Sequence, residues 1–93
     1  MKLRDYKEIM NLLGYKMTED EYYYYLKKKD GHDFKDIVVR KNYVGGFSFS
    51  MTGFNKNDLH AINFTKSFAN TEIADRFKER LEVVLGGENV SRF

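Results

Sequence analysis

The sequence predicts an α+β domain: a three-stranded antiparallel sheet with helices on one face, in the order α-β-β-β-α-α. Three observations carry this reading. Apolar residues recur at helical spacing at the start of the chain and again beyond residue 70. The middle holds a β-branched run and a strictly alternating segment. Ahead of both, Asp30-Gly31 is the preferred dipeptide of a tight hairpin turn.

The first helix is expected over about Leu3 to Leu13, where Leu3, Tyr6, Ile9, Met10 and Leu13 form one stripe. Gly14 then stops it, because glycine takes the left-handed conformation cheaply.

Residues 18–29 carry two competing signals. Thr18 and Glu21 make a capping box, with acids in the would-be first turn and Lys27, Lys28 and Lys29 in the last, which argues for a helix. The run Tyr22-Tyr23-Tyr24-Tyr25 has strand propensity, and the next segment needs a pairing partner. A strand over about Glu21 to Lys29 satisfies both.

Lys35 to Arg40 contains Ile37-Val38-Val39, and Gly46 to Met51 sets Phe47, Phe49 and Met51 against Gly46, Ser48 and Ser50. Lys41-Asn42 begins the turn between these strands, and Gly45-Gly46 points to a bulge or a close backbone approach. Asn55 with Asp58 opens the next helix, and Asn70-Thr71 breaks it. A further helix follows, with Ile73, Ala74, Phe77, Leu81, Val84 and Leu85 on one stripe; Gly86-Gly87 ends it and residues 88–93 form a loose tail.

A chain of 93 residues bounds this to one domain, 1–93, with its ordered core over about 3–85. The absence of cysteine excludes disulfides, thiolate zinc sites and a cysteine nucleophile. No apolar run reaches the ~18 residues of a membrane span, and Met1-Lys2-Leu3-Arg4-Asp5 leads into no signal-peptide core. The expectation is a cytoplasmic protein without membrane attachment. A net charge of +2 does not by itself call for a polyanionic partner.

The chemistry-bearing residues are sparse. Asp30, His32, Asp33 and Asp36 share a loop, but their spacing does not fit a calcium loop, and a solvated turn predicts the same residues. Asp58 and His60 with Ser48, Ser50 or Ser67 suggest a triad only on paper. Residues two apart on a helix do not face each other, and no nucleophile elbow is present. Neither a dinucleotide fingerprint nor a phosphate loop occurs. The expectation is a non-enzyme without a cofactor or metal.

The tyrosine run is the distinctive feature. On a strand, two of its tyrosines point inward and two outward, whereas the eight Phe fall mainly at positions that look like core. Tyr23, Tyr25, Lys27 and Lys29 would share a sheet face with Ser48, Ser50 and either Val38 with Arg40 or Lys35 with Lys41. Tyr23, Tyr25, Lys27, Lys29, Arg40 and Ser48 are therefore the candidate binding residues. Tyr and Arg are enriched at binding hot spots, and tyrosines with lysines also suit single-stranded nucleic acid.

Two resemblances bear on function. Gly46-Phe47-Ser48-Phe49 is similar to the RNP1 strand of RNA-recognition domains, but Gly45 stands where a basic residue belongs and Ser50 where an aliphatic one does. The chain also opens with a helix where that fold opens with a strand. Over residues 3–85, the element order, small size and lack of cysteine resemble small phage or mobile-element proteins, including anti-CRISPR inhibitors. That resemblance implies a binding protein that engages a host protein or ribonucleoprotein. The DNA-mimicking members of that group are strongly acidic; this chain is not.

Overall fold

The computed structural model describes residues 1–77 of the chain. The expected last helix beyond residue 77, and the expected tail, lie outside the described residues. Helix α1 (Leu3–Leu12) leads into strand β1 (Lys16–Glu19), followed by β2 (Tyr23–Asp30), β3 (Asp33–Arg40) and β4 (Phe47–Met51). Helix α2 (Lys56–Ala69) and a 3₁₀ turn (Ala74–Phe77) complete the described part. The strands form one antiparallel meander in the order β1-β2-β3-β4.

The sheet thus has four strands, not three, and the order is α-β-β-β-β-α. The extra strand is β1, and it corrects the reading of residues 18–29. Thr18 caps no helix; it lies in β1 opposite Tyr25. Asp20 organises the β1–β2 turn instead, its carboxylate accepting from the Tyr22 and Tyr23 amides at 2.9 and 2.8 Å. Such a side-chain bond to the following amides gives the backbone an alternative to a helical start. The β2–β3 turn also slides by one residue. Asp30 pairs with Asp33, so Gly31 and His32 are its central residues, with Gly31 at φ +63°.

Helix α1 ends as its composition requires. Gly14 takes φ +93°, and the Lys28 ammonium donates to the Leu13 carbonyl at 3.0 Å, a cation at a helix C-terminus. Helix α2 opens with a full capping box: Asn55 accepts from the Asp58 amide, and Asp58 accepts from the Asn55 amide.

The core lies between one sheet face and the helices. Tyr24 and Leu26 of β2 and Ile37 and Val39 of β3 meet Tyr6, Met10, Ala61, Phe68 and Ala69. Tyr6 stacks on Phe68 at 4.4 Å, and Tyr24 meets the same ring edge-on at 5.8 Å. The expected division of aromatics holds only in part, with Phe68 at the centre of the core. Tyr6, Tyr15 and Tyr24 are buried, whereas Phe34, Phe49 and Phe54 are exposed. Two of the buried tyrosines take hydroxyl partners: Tyr6 pairs with Thr65 at 2.7 Å, and Tyr15 donates to Asp58 at 2.8 Å. A phenylalanine offers no such anchor in a polar-studded core. Only Tyr24 of the four adjacent tyrosines enters the core, since Tyr22 lies in the turn and is 54% exposed.

Candidate interaction surface

The strand register assigns every residue of β2 and β3 to one of two faces. Lys35, Ile37 and Val39 alternate onto the core face, so Lys35 is carried inside, where its ammonium meets the Asp58 carboxylate at 2.7 Å. Phe34, Asp36, Val38 and Arg40 lie on the opposite face, across from Lys29, Lys27, Tyr25 and Tyr23 respectively. Thr18 and Lys16 extend these rows on β1, and Ser48 and Ser50 extend them on β4. Tyr23, Tyr25, Lys27, Lys29, Arg40 and Ser48 thus share the outer face. Of the two pairs that could accompany them, it is Val38 with Arg40.

At one end of this face three side chains form a stack. The Arg40 guanidinium lies 4.3 Å from the Tyr43 ring and 5.6 Å from the Tyr23 ring. The Tyr23 ring in turn stands 5.9 Å from Tyr25. Arginine packs against aromatic faces because its planar, weakly hydrated cation meets their negative quadrupole. Gly46 makes the arrangement possible. A Cβ there would lie 3.2 Å from the Arg40 Cβ, Cγ and Cδ, so the arginine stem runs flat over bare backbone.

Tyr43, 56% exposed, is the member that periodicity did not find. It sits in the β3–β4 loop, and a residue from the far end of the described chain holds that loop in place. The buried Arg76 guanidinium donates to the carbonyls of Arg40, Tyr43 and Ala69 at 3.2, 3.3 and 2.9 Å and lies 4.7 Å over the Phe68 ring. Burial lowers its pKa from the ordinary arginine value, while Tyr24 opposes that shift. The Gly45 amide adds a bond to Ala69 at 2.7 Å.

Tyr25 is tied differently. Its hydroxyl donates to Asp20 at 2.6 Å, which raises the tyrosine pKa and, with the Tyr22 and Tyr23 amides, lowers that of Asp20. At the other end of the face the Lys29 ammonium lies 5.6 Å over Phe34, which is 54% exposed. Lys27 lies opposite Asp36, so the lysines do not form an uninterrupted basic strip.

The remaining candidates disperse. Phe47 and Phe49 occupy the opposite face from Tyr23 and Tyr25, so the RNP1-like strand does not present its aromatics beside the tyrosines. Asp33 accepts from the Thr52 hydroxyl at 3.3 Å, and Asp30 lies 3.6 Å from Lys35. Among the described residues no group of three or more His, Asp or Glu is placed to hold a metal ion. His60 is exposed, whereas Asp58 is fully enclosed. The Asp58 carboxylate accepts from Tyr15, Lys35 and the Asn55 amide, which satisfies both oxygens inside the protein. A groove of about 460 Å³ between α1 and β1 is lined by Arg4, Lys7, Glu8, Asn11, Tyr15, Lys16 and Met17, with Glu8 its one carboxylate.

No known family, characterised protein or solved structure matches this chain. No helix among the described residues is long and apolar enough to cross a membrane.

Proposed function

We propose that this chain is a non-enzymatic binding protein that engages a host protein or ribonucleoprotein through its outer sheet face. The observation that carries the reading is the Tyr23–Arg40–Tyr43 stack on a face that no described element covers. Binding surfaces concentrate their energy in aromatic and arginine side chains that bury large area while losing few torsions. Here the order is already present. Gly46 and Arg76 hold the arginine and the tyrosine loop before any partner arrives, which lowers the entropy lost on association. The buried Lys35 ammonium and Asp58 carboxylate are committed to each other, and Asp58 also takes the Tyr15 hydroxyl, which supports a binding role over catalysis.

The phage-type inhibitor or adaptor reading remains part of this proposal, resting on size and composition. The layout that suggested it gains a fourth strand. Single-stranded nucleic acid is the second reading, favoured by Lys16, Lys27 and Lys29 sharing the face with Tyr23 and Tyr25. Against it stand Asp36 among the lysines and the Tyr25 hydroxyl committed to Asp20.

A tagged pull-down from bacterial lysate, with and without nuclease, tests both. A stoichiometric protein that survives nuclease supports the first reading. Recovery that depends on nucleic acid, with affinity falling steeply as salt rises, supports the second.

A further inference from the structure

The two edges of the sheet differ in chemistry. β1 is short and carries Lys16 and Glu19, charges of the kind that discourage edge-to-edge pairing. β4 reads Phe47-Ser48-Phe49-Ser50-Met51, with no charge and no proline, and nothing among the described residues pairs with its outer edge. The phase of its backbone is fixed by two bonds to β3. The Arg40 amide donates to the Gly46 carbonyl at 2.8 Å, and the Thr52 amide donates to the Phe34 carbonyl at 3.0 Å. In an antiparallel ladder the groups addressing one neighbour alternate. Those of Gly46, Ser48, Ser50 and Thr52 therefore face β3, and those of Phe47, Phe49 and Met51 point outward.

We propose that β4 is a self-association edge that pairs antiparallel with β4 of a second copy, about a two-fold axis through Phe49. The segment is nearly palindromic about that residue. The axis places Phe49 opposite Phe49, Phe47 opposite Met51, and Ser48 opposite Ser50, so apolar side chains meet on one face and serines on the other. The outward amides and carbonyls of Phe47, Phe49 and Met51 meet those of Met51, Phe49 and Phe47, leaving none over. A slip of one residue would set Phe against Ser, and a slip of two would strand an outward group at each end. No like charges face each other in the pairing. Phe49, 50% exposed in the single chain, gains its counterpart as cover. An isologous pairing of this kind closes, whereas β4 against the charged β1 of the next copy would continue as an open array.

The dimer would double the four-stranded sheet and set both Tyr23–Arg40–Tyr43 stacks on the same side of it. It does not depend on what those stacks bind.

Sedimentation velocity of the unaltered chain over a concentration series, with residue-resolved amide exchange at both ends of that series, tests the pairing. The expected result is a rise to twice the monomer mass. The Phe47, Phe49 and Met51 amides become protected as the dimer forms, while those of Ser48 and Ser50, already in the ladder, do not change. Phe49→Lys and Phe49→Glu are each expected to lose the dimer, and mixing the two restores it as a heterodimer. A chain that stays monomeric at every concentration reached would overturn the proposal. So would a dimer that leaves the Phe47, Phe49 and Met51 amides unprotected, or one that persists in both variants.

Discussion

The Lys35 ammonium and the Asp58 carboxylate meet at 2.7 Å with both side chains shielded from water. One comes from a strand and the other from the first turn of a helix, so the pair fastens α2 to the sheet. Burial alone would raise the Asp58 pKa, but the bonds from Lys35, Tyr15 and the Asn55 amide outweigh it and hold the group below its ordinary value. The bond to Asp58 likewise raises Lys35. Removing one partner of a buried pair leaves the other charge uncompensated. Asp58→Ala is expected to lower unfolding stability by about 3 kcal/mol. Tyr15→Phe removes one neutral donor and is expected to cost about 1 kcal/mol. Urea denaturation followed by circular dichroism measures both, and equal losses would contradict this ranking.

The pH dependence follows from the same groups. Asp58 and Asp20 titrate below the ordinary carboxyl value of 3.8 in the folded chain, so their stabilisation is present above that pH and lost as pH falls through their folded values. Burial raises Tyr6 and Tyr15 well above 10.0, and Lys35 is raised above 10.5. Their contribution is present below those ordinary values and lost as pH rises beyond them. Melting temperature against pH should therefore be flat between about 4 and 10 and fall on both sides. In Tyr15→Phe the alkaline fall should become shallower.

Arg76 connects the end of α2 to the loop that presents Tyr43. Arg76→Ala leaves several buried carbonyls without their donor and is expected to destabilise by about 2–3 kcal/mol. Arg76→Lys retains the charge but not the fork, so it should recover only part of that loss. Amide exchange of residues 41–46 should accelerate more than that of β2. Uniform acceleration would contradict a local role.

Gly46 is the floor under Arg40. A methyl at that position meets the arginine stem at 3.2 Å, and Gly46→Val crowds it further. The expected outcome is displacement of the guanidinium from the Tyr43 ring with the sheet retained. Loss of the ring-current shift on the Arg40 side-chain protons, beside unchanged β3 amide shifts, would report it. Unchanged Arg40 shifts would mean that Gly46 does not hold the stack.

What the sequence made legible follows from the period of each element. Helix α1 was announced by its apolar stripe and by Gly14, and α2 by the Asn55–Asp58 box. The alternation of β2 and β3 put Tyr23, Tyr25, Lys27, Lys29 and Arg40 where a shared face was expected. Strand β1 was hidden because Lys16–Glu19 is too short and too polar to show a period; it exists by pairing with Tyr24 to Lys27. Lys35 was readable in principle, since it precedes Ile37 and Val39 at alternate positions, but its buried partner is 23 positions away on α2. Tyr43 had no local signal at all. Its place depends on Arg76, which contacts it only through the tertiary fold.

The Tyr23–Arg40–Tyr43 stack is the proposed site of binding. The most direct measurement compares partner capture by the unaltered chain with capture by Arg40→Glu and Tyr43→Ala, in nuclease-treated lysate, with melting temperatures taken alongside. A stoichiometric partner is expected on the unaltered chain, with a loss of at least ~30-fold in its recovery for each variant, a penalty of hot-spot size. The folded baseline and cooperative melting should be retained in both variants. Undiminished capture by both folded variants, or no stoichiometric partner on the unaltered chain, would contradict the proposed site.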